Sequence, residues 1–145
     1  LMQPYVGEEI HTNNGTFTHD PEVSSRPISR ETAQQVTAMA ITAVASEVPE
    51  AQVPGYTIAG KTGTAQIAEN GVYLQEDTIA SFIGWLPADN PEIIVLIKLD
   101  KPQVSPWGST TAAPTFAKLA NELVVLLGIP PDDVRQREDV MALRN

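Results

Sequence analysis

The chain has no cysteine and only two histidines. Disulfides, thiolate zinc sites and cysteine nucleophiles are thereby excluded, although the compartment is not fixed by this. Positive charge is scarce: 9 Lys+Arg stand against 18 Asp+Glu, for a net charge of −9. Such a surface gains little from a polyphosphate backbone, so no nucleic-acid partner is expected. Long apolar runs are missing as well. Ile93-Ile94-Val95-Leu96-Ile97 stops at Lys98, and the stretch from Leu119 to Leu127 is interrupted by Asn121 and Glu122, whereas a spanning helix needs about 20 apolar residues. The opening Leu1-Met2-Gln3-Pro4 lacks the basic and apolar segments of a signal peptide, and a start without Met at position 1 suggests a piece of a longer polypeptide. Even so, 42% hydrophobic residues over 145 positions support one domain with a core rather than a disordered chain.

What is present reads as alternating strands and helices. Residues 1–23 form a hairpin, with Asn13-Asn14-Gly15 as its turn because Asn and Gly tolerate positive φ. Asn14-Gly15-Thr16 also fits a glycosylation acceptor, but the turn explains it better. A helix is predicted from Ser29 to about Ser46. Ser29 is a good N-cap, Glu31 complements the macrodipole, and Val36, Met39, Ala40 and Ala43 make one stripe. Val48-Pro49 ends it. Tyr56–Ile67, Thr78–Leu86 and Ile93–Leu99 read as three antiparallel neighbours. The first two are joined at Glu69-Asn70-Gly71, and the third is apolar enough to be central. After a loop at 102–111, a helix from Ala113 to Leu127 places Phe116, Leu119, Ala120, Leu123 and Leu127 on one face, with Lys118 and Glu122 paired opposite. Gly128 and Pro130-Pro131 stop it. The residues from Asp132 to Asn145 suggest a short helix without a core face.

The stretch with most chemical content is Lys61-Thr62-Gly63-Thr64, and it admits two readings. Taken with its upstream glycines, Gly55 to Thr62 satisfies the phosphate-loop pattern G-x-x-x-x-G-K-[ST]. Asp100, at the end of an apolar strand, would then hold Mg²⁺. Context opposes this. Glu50 to Pro54 make a poor buried strand, and Thr57 and Ile58 inside the loop resist the left-handed conformations of an anion nest. Gly63 to Ile67 start a helix badly. If Tyr56–Ile67 is instead a strand lining a cleft, Lys61 and Gly63 face one way and Thr62 and Thr64 the other. Gly60 and Gly63 then mark a close approach of backbone or ligand. Such an edge suits an acyl substrate ending in a carboxylate. Thr62 hydrogen-bonds the carboxylate, Lys61 supplies positive potential, Gly63 leaves room, and the Thr64 N–H aims at a developing oxyanion. The bland alternative is a surface lysine in an ordinary hairpin.

The flanking residues decide between them. Leu1-Met2-Gln3-Pro4-Tyr5, Val53 to Gln66, Ala80 to Pro91, Ala112 to Phe116 and Leu127 to Pro131 together resemble the C-terminal part of a class B penicillin-binding protein transpeptidase domain. The resemblance covers roughly Leu1 to Asp133, which leaves 134–145 as a tail. It implies an α+β fold: an antiparallel β-sheet with packed helices, the C-terminal portion of a penicillin-binding transpeptidase (serine β-lactamase-like) fold. It also implies peptidoglycan cross-linking, in which a serine attacks a D-Ala-D-Ala stem peptide and β-lactams acylate the same serine. The site residues carried over are Lys61 and Thr64 as catalytic, the latter through its N–H, and Lys61, Thr62, Gly63 and Thr64 as substrate-binding. No metal or organic cofactor is implied. The place of action implied is the extracytoplasmic face of the bacterial inner membrane, with anchoring by an N-terminal segment absent from this chain.

The departure from the family pattern is that no serine here (24, 25, 29, 46, 81, 105 or 109) has Lys three residues on or Asn two residues on. The S-x-x-K and S-x-N motifs are therefore missing, and the chain alone is expected not to acylate. The competing reading is a non-catalytic binding or self-associating module: half a fold leaves apolar faces uncovered, so self-association or domain swapping is expected. Among the other residues, His11 and His19 flank the first turn and, without a third ligand, read as solvated surface groups rather than a metal site. Trp107 is open between a cleft wall and a loop aromatic packed on the domain. Asp77, Asp89 and Asp100 read as turn and strand-end residues, with no carboxylate pair for acid–base work.

Overall fold

The structure, a computed structural model, describes residues 1–7 and 9–142, the side chains of 75, 76 and 138–142 excepted. The chain divides into two units, Leu1–Gln35 and Val36–Asn145. In the first, strands β1 (Glu9–Thr12) and β2 (Gly15–Thr18) form the expected hairpin, from Glu9 opposite Thr18 to Thr12 opposite Gly15. The positive φ of the turn falls on Gly15 (138°), not on the asparagines. The arms meet again at Met2 and Val23. Helix α1 (Arg30–Glu47) begins in this unit and runs on into the second. The Ser29 hydroxyl accepts the Thr32 N–H at 3.1 Å, as an N-cap should. Backbone hydrogen bonding, then the Ser29 hydroxyl, holds the Glu31 carboxyl below its ordinary range.

In the second unit, β3 (Ala59–Glu69), β4 (Val72–Leu86) and β5 (Ile93–Asp100) form an antiparallel sheet in the order β3-β4-β5. The Asn70-Gly71 turn is as expected: both residues have positive φ (53° and 81°), with Glu69 opposite Val72. This is the two-residue arrangement whose twist suits a hairpin. Three expectations fail. The second strand, β4, begins at Val72 rather than Thr78. The first strand begins at Ala59, not Tyr56, because Val53-Pro54-Gly55-Tyr56 is a tight turn. Gly55 has φ 86° and the Tyr56 N–H bonds the Val53 carbonyl at 3.1 Å, the Pro-Gly signature of a type II turn. And β5 is not central. Among the described residues it pairs only with β4, and Ile94 and Leu96 stay 66% and 61% exposed.

Helix α2 (Ala112–Leu126) packs across β4 and β5. Its buried face is Ala112, Ala113, Phe116, Ala120 and Val124. The predicted face is thus rotated: Phe116 and Ala120 hold, while Leu119 and Leu127 are exposed, and Lys118 and Glu122 form no ion pair. The stripe expected on α1 also fails in part, since Val36 and Met39 are exposed and Val44 is its buried residue. α2 ends in a Schellman motif. Ile129 N–H bonds the Val124 carbonyl, Gly128 N–H bonds the Val125 carbonyl, and Gly128 has φ 66°. The core between α2 and the sheet centres on Phe82 and Phe116, whose rings meet edge-on with centroids 4.9 Å apart. Such a pair adds about 0.5–1.5 kcal/mol beyond area burial.

Candidate active site

The Lys61-Thr62-Gly63-Thr64 tetrad lies within β3, one margin of the sheet, facing Ile83, Phe82, Ser81 and Ala80 of β4 in that order. β3 is glycine-rich because its neighbours come too close for side chains. A methyl at Gly60 would lie 2.6 Å from the Phe82 ring, and one at Gly63 would lie 2.6 Å from Ser81 Oγ. Pairing across the sheet puts Thr62, Phe82 and Ile97 on the face that packs against α2. Lys61, Ile83 and Leu96 lie on the opposite face. Lys61 is exposed, and its Nζ donates to the Thr62 carbonyl at 3.0 Å. Ser81 Oγ reaches the Gly63 carbonyl at 3.4 Å.

A second segment joins the tetrad, of which sequence reasoning singled out only Trp107. Gly108, just before α2, donates its N–H to Thr64 Oγ1 at 3.3 Å, and a side chain there would collide with the Ser81 and Gly63 carbonyls. Thr78 Oγ1 ties the same loop down through the Pro106 carbonyl at 2.8 Å. The Trp107 carbonyl accepts the Thr110 and Thr111 N–H groups, so the backbone is held while the side chain stays 59% exposed. Trp107 is therefore not packed into the domain.

The approach to β3 is clamped from the C-terminal side. Asp132 opens α3 (Asp132–Ala142) and accepts the Thr57 N–H at 2.7 Å, while its own N–H bonds the Gly55 carbonyl. Arg135 bridges Asp132 (2.7 Å) and Asp89 (2.7 and 3.2 Å), with its side chain only 13% exposed. The Arg135 hydrogen bonds hold the Asp89 carboxyl below its usual range. The Tyr56 hydroxyl donates to the Ile129 carbonyl at 2.6 Å, and burial, then the Asp132 charge, pushes its pKa up. Helix α3 thus has an anchoring face that its sequence did not reveal. Residues 143–145 of the predicted C-terminal helix lie outside the described residues.

The remaining sequence candidates do not assemble. No helix follows Lys61-Thr62, so Gly55–Thr62 is a turn and a strand rather than a phosphate loop. Asp100 is taken by Lys98 Nζ at 2.9 Å and Asp77 by Lys101 Nζ at 2.7 Å. His11 bonds Thr16 and Glu9, while His19 stacks on Tyr5 with centroids 4.2 Å apart, so the two histidines hold separate partners. Among the described residues no cluster of His, Asp and Glu could hold a metal. No helix there is long and apolar enough to cross a membrane.

Residues 1–121 match the profile of the penicillin binding protein transpeptidase domain. The chain belongs to that family. It is 35% identical over 136 residues to stage V sporulation protein D of Bacillus subtilis, covering 90% of this chain and 21% of the relative. It is 39% identical over 77 residues to a probable peptidoglycan D,D-transpeptidase, PenA, of Neisseria meningitidis, covering 52% and 13%. Among solved structures it superposes on penicillin-binding protein 3 of Mycobacterium tuberculosis complexed with ampicillin at a TM-score of 0.74 and 31% identity, covering 86% of this chain and 30% of that one. The transpeptidase domain of Burkholderia pseudomallei penicillin-binding protein 3 gives 0.71 and 32%, covering 81% and 37%. The α+β fold expected from the sequence is that of these transpeptidase domains. The chain spans about a fifth or less of the two curated relatives named here.

Proposed function

We propose that this chain supplies one wall of a serine D,D-transpeptidase site that cross-links peptidoglycan stem peptides and is acylated by β-lactams. The observation that carries this is the tetrad on β3, whose outer margin is unpaired among the described residues, in a chain of the transpeptidase family. The Thr62 carbonyl is reached by Lys61 and the Gly63 carbonyl by Ser81 across the β3–β4 pair. Successive residues of a strand turn their backbone groups to opposite sides. This supports a Thr64 N–H that points, like the Thr62 carbonyl, to the open margin. There it donates to the oxyanion formed when a serine outside this chain attacks the acyl carbon. Lys61 supplies positive potential, the Thr62 hydroxyl binds the substrate's terminal carboxylate, and Gly63 keeps the approach clear. The C–N bond to the terminal D-alanine breaks, its amine takes the proton, and an amine of a neighbouring stem peptide later accepts the acyl group. Neither metal nor organic cofactor enters this scheme. The work is placed at the extracytoplasmic face of the inner membrane, with anchoring by a segment N-terminal to Leu1.

Fluorescent penicillin tests the reading. The 145-residue chain alone should take no covalent label, because no serine in it has the S-x-x-K pattern. Joined to an upstream segment that carries S-x-x-K, it should label at that serine. Lys61→Ala should then slow acylation by about a hundredfold or more, the usual scale for losing one electrostatic contributor. Covalent labelling of the isolated chain would refute the division of labour.

A further inference from the structure

The glycines that let β3 fit against its neighbours also leave it little packing of its own, because Gly60 and Gly63 have no room for a side chain. Its place therefore depends on what grips its backbone and its ends. At the downstream end of the tetrad, the Gly108 N–H holds Thr64 Oγ1 at 3.3 Å. Upstream of the tetrad, both backbone groups of Thr57 are held. Its N–H donates to Asp132 Oδ2 at 2.7 Å, and its carbonyl accepts the Ala88 N–H at 3.0 Å. Arg135 closes the ring, since it donates to Asp132 and to Asp89, the residue after Ala88, at 2.7 Å each. We propose that Asp132 and Arg135 are positioning residues for acyl transfer: through Thr57 they fix the upstream end of β3, and so the reach of Lys61 and the Thr64 N–H towards the attacked carbonyl. This rests on the function proposed above.

The segment leading into α3 follows the turn before β3 closely. The Asp132 N–H bonds the Gly55 carbonyl at 2.9 Å, the Tyr56 hydroxyl bonds the Ile129 carbonyl at 2.6 Å, and a methyl on Gly55 would lie 3.3 Å from Pro131. The ring's main product is geometry. Drawing charges partly out of water offsets much of their attraction, so such a ring adds little net stability. Reactivity is far more sensitive to placement, since a shift of about 1 Å in a catalytic group can cost about a hundredfold in rate. The same helix carries its own control. Arg137 pairs with Asp133 at 3.2 Å, both well exposed, and among the described residues it has no hydrogen bond to the turn before β3.

The test uses the chain joined to an upstream segment carrying S-x-x-K, with fluorescent penicillin in stopped flow. Three quantities are read: the limiting acylation rate, the half-saturating penicillin concentration, and the amplitude, which counts folded sites. Asp132→Ala should lower the limiting rate about tenfold or more, with the half-saturating concentration changed less than about threefold. Asp132→Asn keeps an oxygen for the Thr57 N–H and should recover most of the rate. Arg135→Gln cuts the tie to Asp89 but leaves Asp132 in place; it should give an intermediate loss, and it decides alone if Asp132→Ala does not fold. Arg137→Gln should acylate like the parent. Parent rates in Asp132→Ala and Arg135→Gln overturn the proposal, as does a loss confined to amplitude, which reports stability only. So does an Asp132→Asn as slow as Asp132→Ala, or an Arg137→Gln as slow as Arg135→Gln. A joined parent chain that takes no label at the S-x-x-K serine would instead refute the transpeptidase reading, and this proposal with it.

Discussion

At the scale of single residues, the site depends on places where a side chain is excluded. Gly108 lies against the Gly63 and Ser81 carbonyls and gives its N–H to Thr64. Backbone carbonyls cannot rotate aside as a flexible side chain can, so Gly108→Ala should cost about 2–3 kcal/mol in urea unfolding, at the upper part of the overpacking range. Asp89 makes a prediction in pH. Arg135 lowers its pKa from an ordinary 3.8, so the folded chain binds that proton less readily than the unfolded one. The pair's contribution is therefore present above that value and lost as pH falls through the lower folded pKa. Arg135→Ala should return the Asp89 carboxyl towards its ordinary titration in NMR and flatten this part of the acid stability curve. Asp89 is itself well exposed, so the effect is modest and screened by salt. Lys61 to Thr64 could be proposed as candidates from sequence because four residues and their flanks are contiguous. Gly108, Asp132 and Arg135 could not, since each acts on a partner 44 or more positions away.

At the scale of elements, what was legible followed from local chemistry. The Asn70-Gly71 turn, the Ser29 cap and the Gly128 stop each need only a few adjacent residues, and each is found where expected. The buried face of α2 was misread because its apolar side is broad, with Leu119, Leu123, Val125 and Leu126 flanking Phe116 and Ala120, so hydrophobicity alone did not centre the face. The choice is made by Phe116 meeting Phe82. Phe116→Ala should accordingly cost about 3–5 kcal/mol in chemical denaturation, far more than truncation of the exposed Leu126. The strand β5 was read as central from its composition, but strand order depends on which partner pairs with it, and that partner is not encoded in the strand itself.

At the scale of the whole molecule, the two units differ in what holds them. Every described residue of β1 and β2 is exposed, whereas the sheet of the second unit closes over Phe82, Leu86 and Phe116. A two-stranded hairpin with no buried face is marginal in water. Amides of Glu9–Thr18 should therefore exchange with solvent orders of magnitude faster than those of Thr62 or Phe82, as hydrogen-exchange mass spectrometry would report. Equal protection in both would contradict this account.

Among the described residues β3 and β5 each leave one margin of the three-stranded sheet unpaired, and the two margins are unlike. Pairing β5 of one chain with β3 of the next would leave a free margin of each kind at the ends, and growth would have no natural limit. Lys61 and the glycines along β3 make that strand a poor template for such growth. The same residues proposed to receive a substrate thus also disfavour that open-ended pairing.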